Sequence, residues 1–280
     1  MIPHPSKNII LDNHLIIFVL IFLLQSAIGR AQGELLVYPK RIVFGNHKQF
    51  EKLNITNTGM DTTYYTISTL NIKMEKDGGF HIIDSSEAGH QFADSNFRFF
   101  PREIVLAPKE SQTVKLQLIR SAELTPGEYR SHLYFRHDPN RNGNQKPKAS
   151  TNANNVSIKL TPIYGVTIPI IIRKGTVNAT VNIDNFTLDT STEGSPVATF
   201  QLNRSGNRSV YGNIEVTHIG SNLKKTVVGK INGVSVYTPN TERIIKLPLY
   251  MNTGVDLTTG LLRISFKEGD QQLLEEVYKL

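Results

Sequence analysis

The chain has 280 residues, with 31 Lys and Arg against 24 Asp and Glu, and a formal net charge of +7 at pH 7. The basic residues are dispersed, so this charge does not indicate a nucleic-acid-binding surface. Cysteine and tryptophan are absent. Their absence excludes disulfides, ordinary thiolate zinc sites and the Cys–Trp–Cys core of antibody domains.

The N-terminal segment has the features of an export signal. An uninterrupted apolar run, Leu15–Leu24, follows a polar stretch that contains Lys7. The run is too short to span a bilayer comfortably, and Gly29 and Ala31 are small residues suited to a cleavage site. We therefore predict a signal peptide over residues 1–31. An uncleaved anchor is the alternative, because the polar stretch is long and only weakly basic.

The first half of the remaining chain is predicted to form short strands, because it is rich in Thr, Tyr, Val and Ile and is interrupted by turn residues. The predicted strands are Leu35–Phe44, Phe50–Thr56, Thr62–Met74, Phe97–Leu106, Ser111–Ile119 and Glu128–Arg136.

The second half has the same character. Its predicted strands are Thr176–Ile183, Val197–Leu202, Val210–Thr217, Lys225–Val236, Arg243–Leu249, Gly260–Phe266 and Gln272–Tyr278. No amphipathic helix is predicted after the signal. Many short strands in two blocks predict an all-β fold of two immunoglobulin-like β-sandwich domains in tandem, over residues 32–174 and 175–280.

One predicted strand, residues 156–172, differs from the others in length. Every even-numbered residue from Val156 to Ile172 is apolar, which predicts a strand with one apolar face. It would extend roughly 50 Å at about 3.3 Å per residue, whereas typical strands have about five or six residues. We therefore expect part of it to extend beyond its own sheet. A long apolar edge promotes aggregation unless it is used, so this strand is the best candidate for a binding element.

A set of motifs in a fixed order precedes this strand. They are Arg41–Phe44 (RIVF), Leu53–Gly59 (LNITNTG), Phe100–Leu118 (FPREIVLAPKESQTVKLQL) and Glu128–Phe135 (EYRSHLYF). Together with the long strand, they resemble the periplasmic pilus chaperones of the PapD-like superfamily. Three further phrases resemble its secreted, fimbrial-chaperone-like branch: Leu160–Lys174, Leu202–Gly212 and Val234–Asn240.

The resemblance implies a fold and a function. The fold would be two immunoglobulin-like domains angled around a cleft. The function would be that of an ATP-independent periplasmic chaperone, which donates an edge strand to the incomplete fold of a pilin-like subunit. The residues that would cover the subunit's groove are Leu160, Tyr164, Val166, Ile168 and Ile170.

The resemblance also implies a basic anchor for the subunit's terminal carboxylate. Arg41 occupies the position of the family's first cleft arginine. The family's second basic residue, a lysine on the long strand, is missing here, because Pro169 stands at the matching position. Arg173 or Lys174 is the candidate replacement, since either can bind a carboxylate.

No sequence motif indicates catalysis. The chain contains no Gly-x-Ser-x-Gly elbow, phosphate-binding glycine loop or His-Glu-x-x-His helix. We therefore expect no enzymatic activity, no cofactor and no metal. The expected partners are pilin-like subunits and no nucleic acid, and the hypothesis also allows an outer-membrane usher and a self-capping dimer.

Two other hypotheses stay open. In one, the chain is a structural or adhesive immunoglobulin-like protein of the cell surface that binds through its loops. In the other, it is an envelope protein that binds a small ligand in the cleft beside Arg41.

Overall fold

A computed structural model describes residues 35–45, 48–85, 87–141, 163–190, 195–250 and 255–280. The predicted signal peptide, residues 1–31, and the N-terminal part of the predicted long strand, including Leu160, lie outside the described residues. The structure is 62% strand and 4% helix, which confirms the predicted all-β class. Within the described ranges, no helix is long and apolar enough to cross a membrane.

In the described ranges, the first sandwich contains eleven strands. They are β1 (Leu35–Tyr38), β2 (Ile42–Phe44), β3 (Phe50–Asn57), β4 (Thr63–Leu70), β5 (Ile72–Met74), β6 (Phe80–Ile82), β7 (Phe97–Phe100), β8 (Glu103–Leu106), β9 (Ser111–Leu118), β10 (Gly127–His137) and β11 (Gly165–Lys174). Three single-turn 3-10 helices join them: Asp94–Asn96, Ser121–Glu123 and Pro139–Arg141.

These strands form two packed sheets and a small hairpin. One sheet has the order β1-β3-β9-β7 and the other has the order β2-β11-β10-β4-β8. Strands β5 and β6 form the hairpin. Three predicted strands are each split in two, and each break contains a residue that interrupts regular pairing: Pro39, Asn71 or Pro101.

The second sandwich contains the other seven strands of the described residues. They are β12 (Ala179–Asp189), β13 (Val197–Gly206), β14 (Val210–Ile219), β15 (Lys225–Val236), β16 (Glu242–Pro248), β17 (Leu261–Glu268) and β18 (Gln271–Lys279). Their sheets have the orders β12-β13-β16 and β15-β14-β17-β18. All seven overlap predicted strands.

Each sandwich has its own apolar core, because alternate residues of every inner strand point inward. The core of the first includes Phe44, Leu53, Ile55, Leu133, Phe135 and Ile170. The core of the second includes Phe200, Leu202, Ile214, Val216, Ile264 and Phe266. This arrangement confirms the predicted two-sandwich fold. The exact boundary between residues 174 and 175 stays a prediction.

Two side chains of the first sandwich belong to the core of the second. Met74 of β5 and Ile171 of β11 are buried in the second cluster. Residues Leu35–Leu280 form one compact unit. The strands that carry these two side chains therefore bring the first sandwich against the second, and they border the cleft described next.

Candidate functional site

One face of β10 and β11 is directed toward the second sandwich. In their antiparallel register, Glu128 lies opposite Arg173, Arg130 opposite Ile171, and His132 opposite Pro169. Residues directly opposite each other share one face of a sheet, and their chain neighbours share the other. The neighbours Leu133 and Ile170 belong to the first core, so the face with Glu128, Arg130 and His132 borders the cleft between the sandwiches.

Arg173 joins the two sandwiches through a buried carboxylate. Its Nε donates to Glu128 Oε2 at 3.0 Å, and its Nη2 donates to the carbonyl of Ser209 at 3.3 Å. Glu128 Oε1 also accepts from the backbone N–H of Ser209 at 3.0 Å. Because Nε and Nη2 of Arg173 are engaged in this network, its side chain links the two sandwiches.

Arg41, directly before β2, lies over the aromatic ring of Tyr211 in the second sandwich. Its Cζ is 4.2 Å from the centroid of Tyr211 and 6.0 Å from that of Tyr237. Its Nε and Nη2 are buried and have no hydrogen-bond partner among the described residues. Burial lowers the pKa of Arg41, and the nearby charge of Arg173 lowers it further. A guanidinium that lies over an aromatic ring and has unpartnered donors suits a carboxylate.

The structure does not bring Lys174 to this face. It follows Arg173 on β11, and adjacent residues of a strand point to opposite faces. It lies opposite Gly127 and is only partly buried. Of the three predicted anchoring residues, Arg41 and Arg173 therefore lie at the cleft, and Lys174 does not.

A cavity of about 280 Å³ opens between the two sandwiches, against the rings of Tyr211 and Tyr237, which lie near Arg41. Its walls include Phe80, His132, Pro169, Tyr211, Tyr237 and Arg243. Burial lowers the pKa of His132 to about 3, and the charge of Arg130 contributes further. His132 is therefore neutral at pH 7, and the positive charges at the cavity come from arginine.

The predicted subunit-binding side chains fall into two groups. Tyr164 is 47% exposed and stacks on His137 with their centroids 5.7 Å apart, while Val166 is partly buried against the first core. Ile168 and Ile170 are only 4% and 0% exposed, because they fill that core. In this structure, the side chains of Ile168 and Ile170 present no surface to another polypeptide.

The backbone of β11 nevertheless has an open edge. On one side, β10 pairs with β11 along its whole length, from Gly165 to Lys174. On the other side, β2 pairs in parallel with Ile170–Ile172 alone. In the part of the chain that the structure describes, no strand covers the outer edge of Gly165–Pro169.

The sequence reasoning missed several residues of the cleft. Glu128, Arg130 and His132 alternate in sequence, which signals a polar strand face, but the pattern does not reveal what that face meets. Tyr211 and Tyr237 come from β14 and from just after β15. Their approach to Arg41 depends on how the sandwiches pack, and no local pattern encodes that packing.

Known proteins match this chain in structure but not in sequence. No protein-family model matches it, and no curated protein does. Its structure is similar to that of the YadV chaperone, at 9% identity and a TM-score of 0.44 over 89% of this chain and 100% of that one. The class 5 fimbriae chaperone CfaA matches at 15% identity and a TM-score of 0.43, over 88% of this chain and 98% of that one.

A third similar structure is the CsuC–CsuE chaperone–tip adhesion subunit complex of Acinetobacter baumannii. It matches at 10% identity and a TM-score of 0.44, over 88% of this chain and 98% of the matched chain. At these identities and TM-scores we draw no functional conclusion from the similarity.

Proposed function

We propose that this protein is a periplasmic chaperone that holds incomplete immunoglobulin-like subunits of fimbriae or related secreted fibres, without ATP. The observation that carries the proposal is the open outer edge of Gly165–Pro169 on β11. Unpaired N–H and C=O groups on a sheet edge are a template for another strand. The exposed side chains of Ile163 and Tyr164 adjoin this edge and supply apolar contact area.

The direction of β2 supports a particular orientation of the bound strand. Strand β2 runs parallel to β11 and begins its pairing where Ile42 meets Ile170. A strand added along Gly165–Pro169 in the same direction would be in line with β2 and would end at Arg41. Its terminal carboxylate would then lie at the guanidinium of Arg41, whose Nε and Nη2 have no partner among the described residues. An antiparallel strand would instead bring an N-terminal ammonium to the same guanidinium.

The burial of Ile168 and Ile170 refines the proposal. The bound segment gains main-chain hydrogen bonds along the edge, and its side-chain contacts come from Tyr164 and Val166. Burying each such side chain contributes about 1.5–3 kcal/mol before ordering costs. Leu160 stays part of the proposed contact, although it lies outside the described residues.

A pair of synthetic peptides tests the anchor. Both alternate valine and threonine, carry an N-terminal lysine pair for solubility and can pair along Ile163–Pro169; one ends in a free carboxylate and the other in an amide. We expect the acid to bind about tenfold more tightly or better, because hydrogen bonds to charged groups contribute about 1.5–3 kcal/mol. Fluorescence anisotropy measures both dissociation constants.

The Arg41→Gln variant should bring the two affinities close together, because it removes the guanidinium and keeps a similar length. Arg98→Gln, which changes an exposed arginine on the opposite sheet of the same sandwich, is the matched control and should keep the preference. Equal affinities of the acid and the amide for the unmodified protein would contradict the proposal. An adhesive protein that binds through loops predicts that outcome.

A further inference from the structure

Three arginines gather around Tyr237. The Cζ of Arg130 is 4.3 Å from the ring centroid, and that of Arg41 is 6.0 Å away. The third is Arg243 of β16, whose Nη1 donates to the carbonyl of Ser235 at 2.9 Å. The side chain of Tyr237 is close enough to interact electrostatically with all three guanidinium groups.

Each of these arginines has buried donors without a partner among the described residues. These donors are Nε in all three, together with Nη2 of Arg41. Arg130 is only 6% exposed, and its Nη1 donates to the carbonyl of Ile72 at 3.1 Å. Buried charged donors are costly unless acceptors are supplied. The cluster therefore has more hydrogen-bonding capacity than the described part of the chain satisfies.

The nearby carboxylates do not balance this charge. Glu128 is engaged with Arg173 and with the backbone N–H of Ser209. Asp77 lies near Arg243, and its Oδ1 accepts from the backbone N–H of Gly79 at 2.8 Å. Glu242, the neighbour of Arg243 in sequence, pairs with Lys76. One bound terminal carboxylate would leave an excess of positive charge around Tyr237.

The cavity of about 280 Å³ connects this cluster with the open edge of β11. Thr167 and Pro169 of the edge line it, and so do Tyr237 and Arg243. In a strand paired with β11, alternate side chains share the face of Thr167 and Pro169. One of the last two side chains of a segment that ends at Arg41 must therefore be directed toward the cavity.

We propose that this cavity is a second anion-binding subsite, which accepts an acidic side chain from one of the last two residues of the bound segment. Arg243 lines the subsite, and Arg130 adds positive charge behind the ring of Tyr237. The inference rests on the proposed function, because it takes the segment to be a strand whose terminal carboxylate binds Arg41. It names the class of preferred partner: a polypeptide whose C-terminus carries a second carboxylate.

Isosteric peptides test this subsite. Four versions of the valine–threonine peptide with a free carboxylate are compared. Two carry Glu or Gln at the last position, and two carry Glu or Gln at the position before it. At one of the two positions, we expect the Glu peptide to bind about tenfold more tightly than the Gln peptide, because a charge-assisted hydrogen bond contributes about that much affinity. Arg243→Gln and Arg130→Gln should each reduce this ratio toward one, and Arg98→Gln should not change it.

The outcomes separate the subsite from the proposed function. Equal binding of Glu and Gln peptides at both positions, with the preference for acid over amide retained, would overturn the subsite and leave the function standing. Loss of the acid–amide preference as well would contradict both. A Glu preference that survives both Arg243→Gln and Arg130→Gln would also overturn the assignment. If the buried Arg130 variant fails to fold, Arg243→Gln decides alone, since Arg243 is partly exposed.

Discussion

At the scale of single residues, the cleft contains both charged side chains that are paired and charged side chains that lack hydrogen-bond partners in the described residues. Glu128 and Arg173 are paired and tie the sandwiches together, whereas Arg41 has two buried nitrogens without partners in the described residues. Removing one partner of a buried pair costs about 3–5 kcal/mol, so the first pair suits a structural role. An unsatisfied buried donor lowers folding stability by about 1–3 kcal/mol. The unpartnered nitrogens of Arg41 therefore do not stabilise the free protein, and they suit a role in binding.

His132 makes folding stability depend on pH. Its folded pKa of about 3 lies below the ordinary value of 6.5, because burial and Arg130 disfavour the charged ring. The unfolded state therefore binds more protons between these values, and stability is lost as the pH falls from 6.5 toward 3. From pH 7.5 to 5.0 we expect His132 to account for a loss of about 2 kcal/mol.

Urea unfolding of the unmodified protein and of His132→Gln at the two pH values measures this contribution. The variant should lose about 2 kcal/mol less on acidification. His81→Gln is the matched control, because the side chain of His81 is mostly exposed. Equal pH dependence of the His132 variant and the unmodified protein would show that the ring of His132 is not held neutral.

At the scale of elements, β11 serves both the protein's own core and its open edge. Its apolar residues Ile168, Ile170 and Ile172 fill the first core, while the backbone of Gly165–Pro169 stays uncovered by any described strand. Pro169 lacks an N–H, so a strand added there loses one donor at the position next to Arg41.

Tyr164 tests the side-chain contribution of this edge. Tyr164→Asp places a carboxylate beside the proposed apolar contact. We expect binding of the free-acid peptide to weaken about tenfold or more, because one buried aromatic contact is lost. Tyr250→Asp, on the second sandwich, is the control with similar exposure. Circular dichroism checks that the fold is kept. Unchanged binding by Tyr164→Asp would contradict the proposed contact.

The same element shows what sequence can and cannot predict. Strict alternation identified β11 and its apolar face, because a strand has a period of two. The pattern did not reveal that Ile168 and Ile170 fill the protein's own core, because alternation is the same whichever partner covers the face. Phe80–Ile82 was missed as a strand, since it has only three residues and pairs with the equally short Ile72–Met74.

The residues of the cleft differ in how far the sequence alone predicts them. Arg41 could be singled out from a motif, whereas Arg130 and Arg243 could not. Arg130 approaches Tyr237 only through the packing of the two sandwiches, and Arg243 approaches it only through the packing of strands within the second. Arg173 is predicted as an anchor because it lies a few residues after the position of the missing lysine and can bind a carboxylate. Its pairing with Glu128 follows from the register of β10 and β11, which the sequence leaves undefined.

At the scale of the whole molecule, the two sandwiches hold the open edge and the arginines in one arrangement. Met74 and Ile171 are buried in the second core, and Asn240 Nδ2 donates to the carbonyl of Met74 at 2.7 Å. In addition, the N–H of Ile244 donates to the carbonyl of Lys76 at 2.7 Å. Such contacts fix where a strand along β11 would end, so that the edge and the anchor act on the same segment.

Hydrogen–deuterium exchange of the full protein with the free-acid peptide shows whether the outer edge of β11 accepts a strand. We expect slower exchange in the segment Ile163–Ile168 when the peptide is bound. At the same peptide concentration, the Arg41→Gln variant should show less protection there. Protection confined to other parts of the chain, or binding of the peptide with no change at Ile163–Ile168, would contradict the claim that this edge accepts a strand.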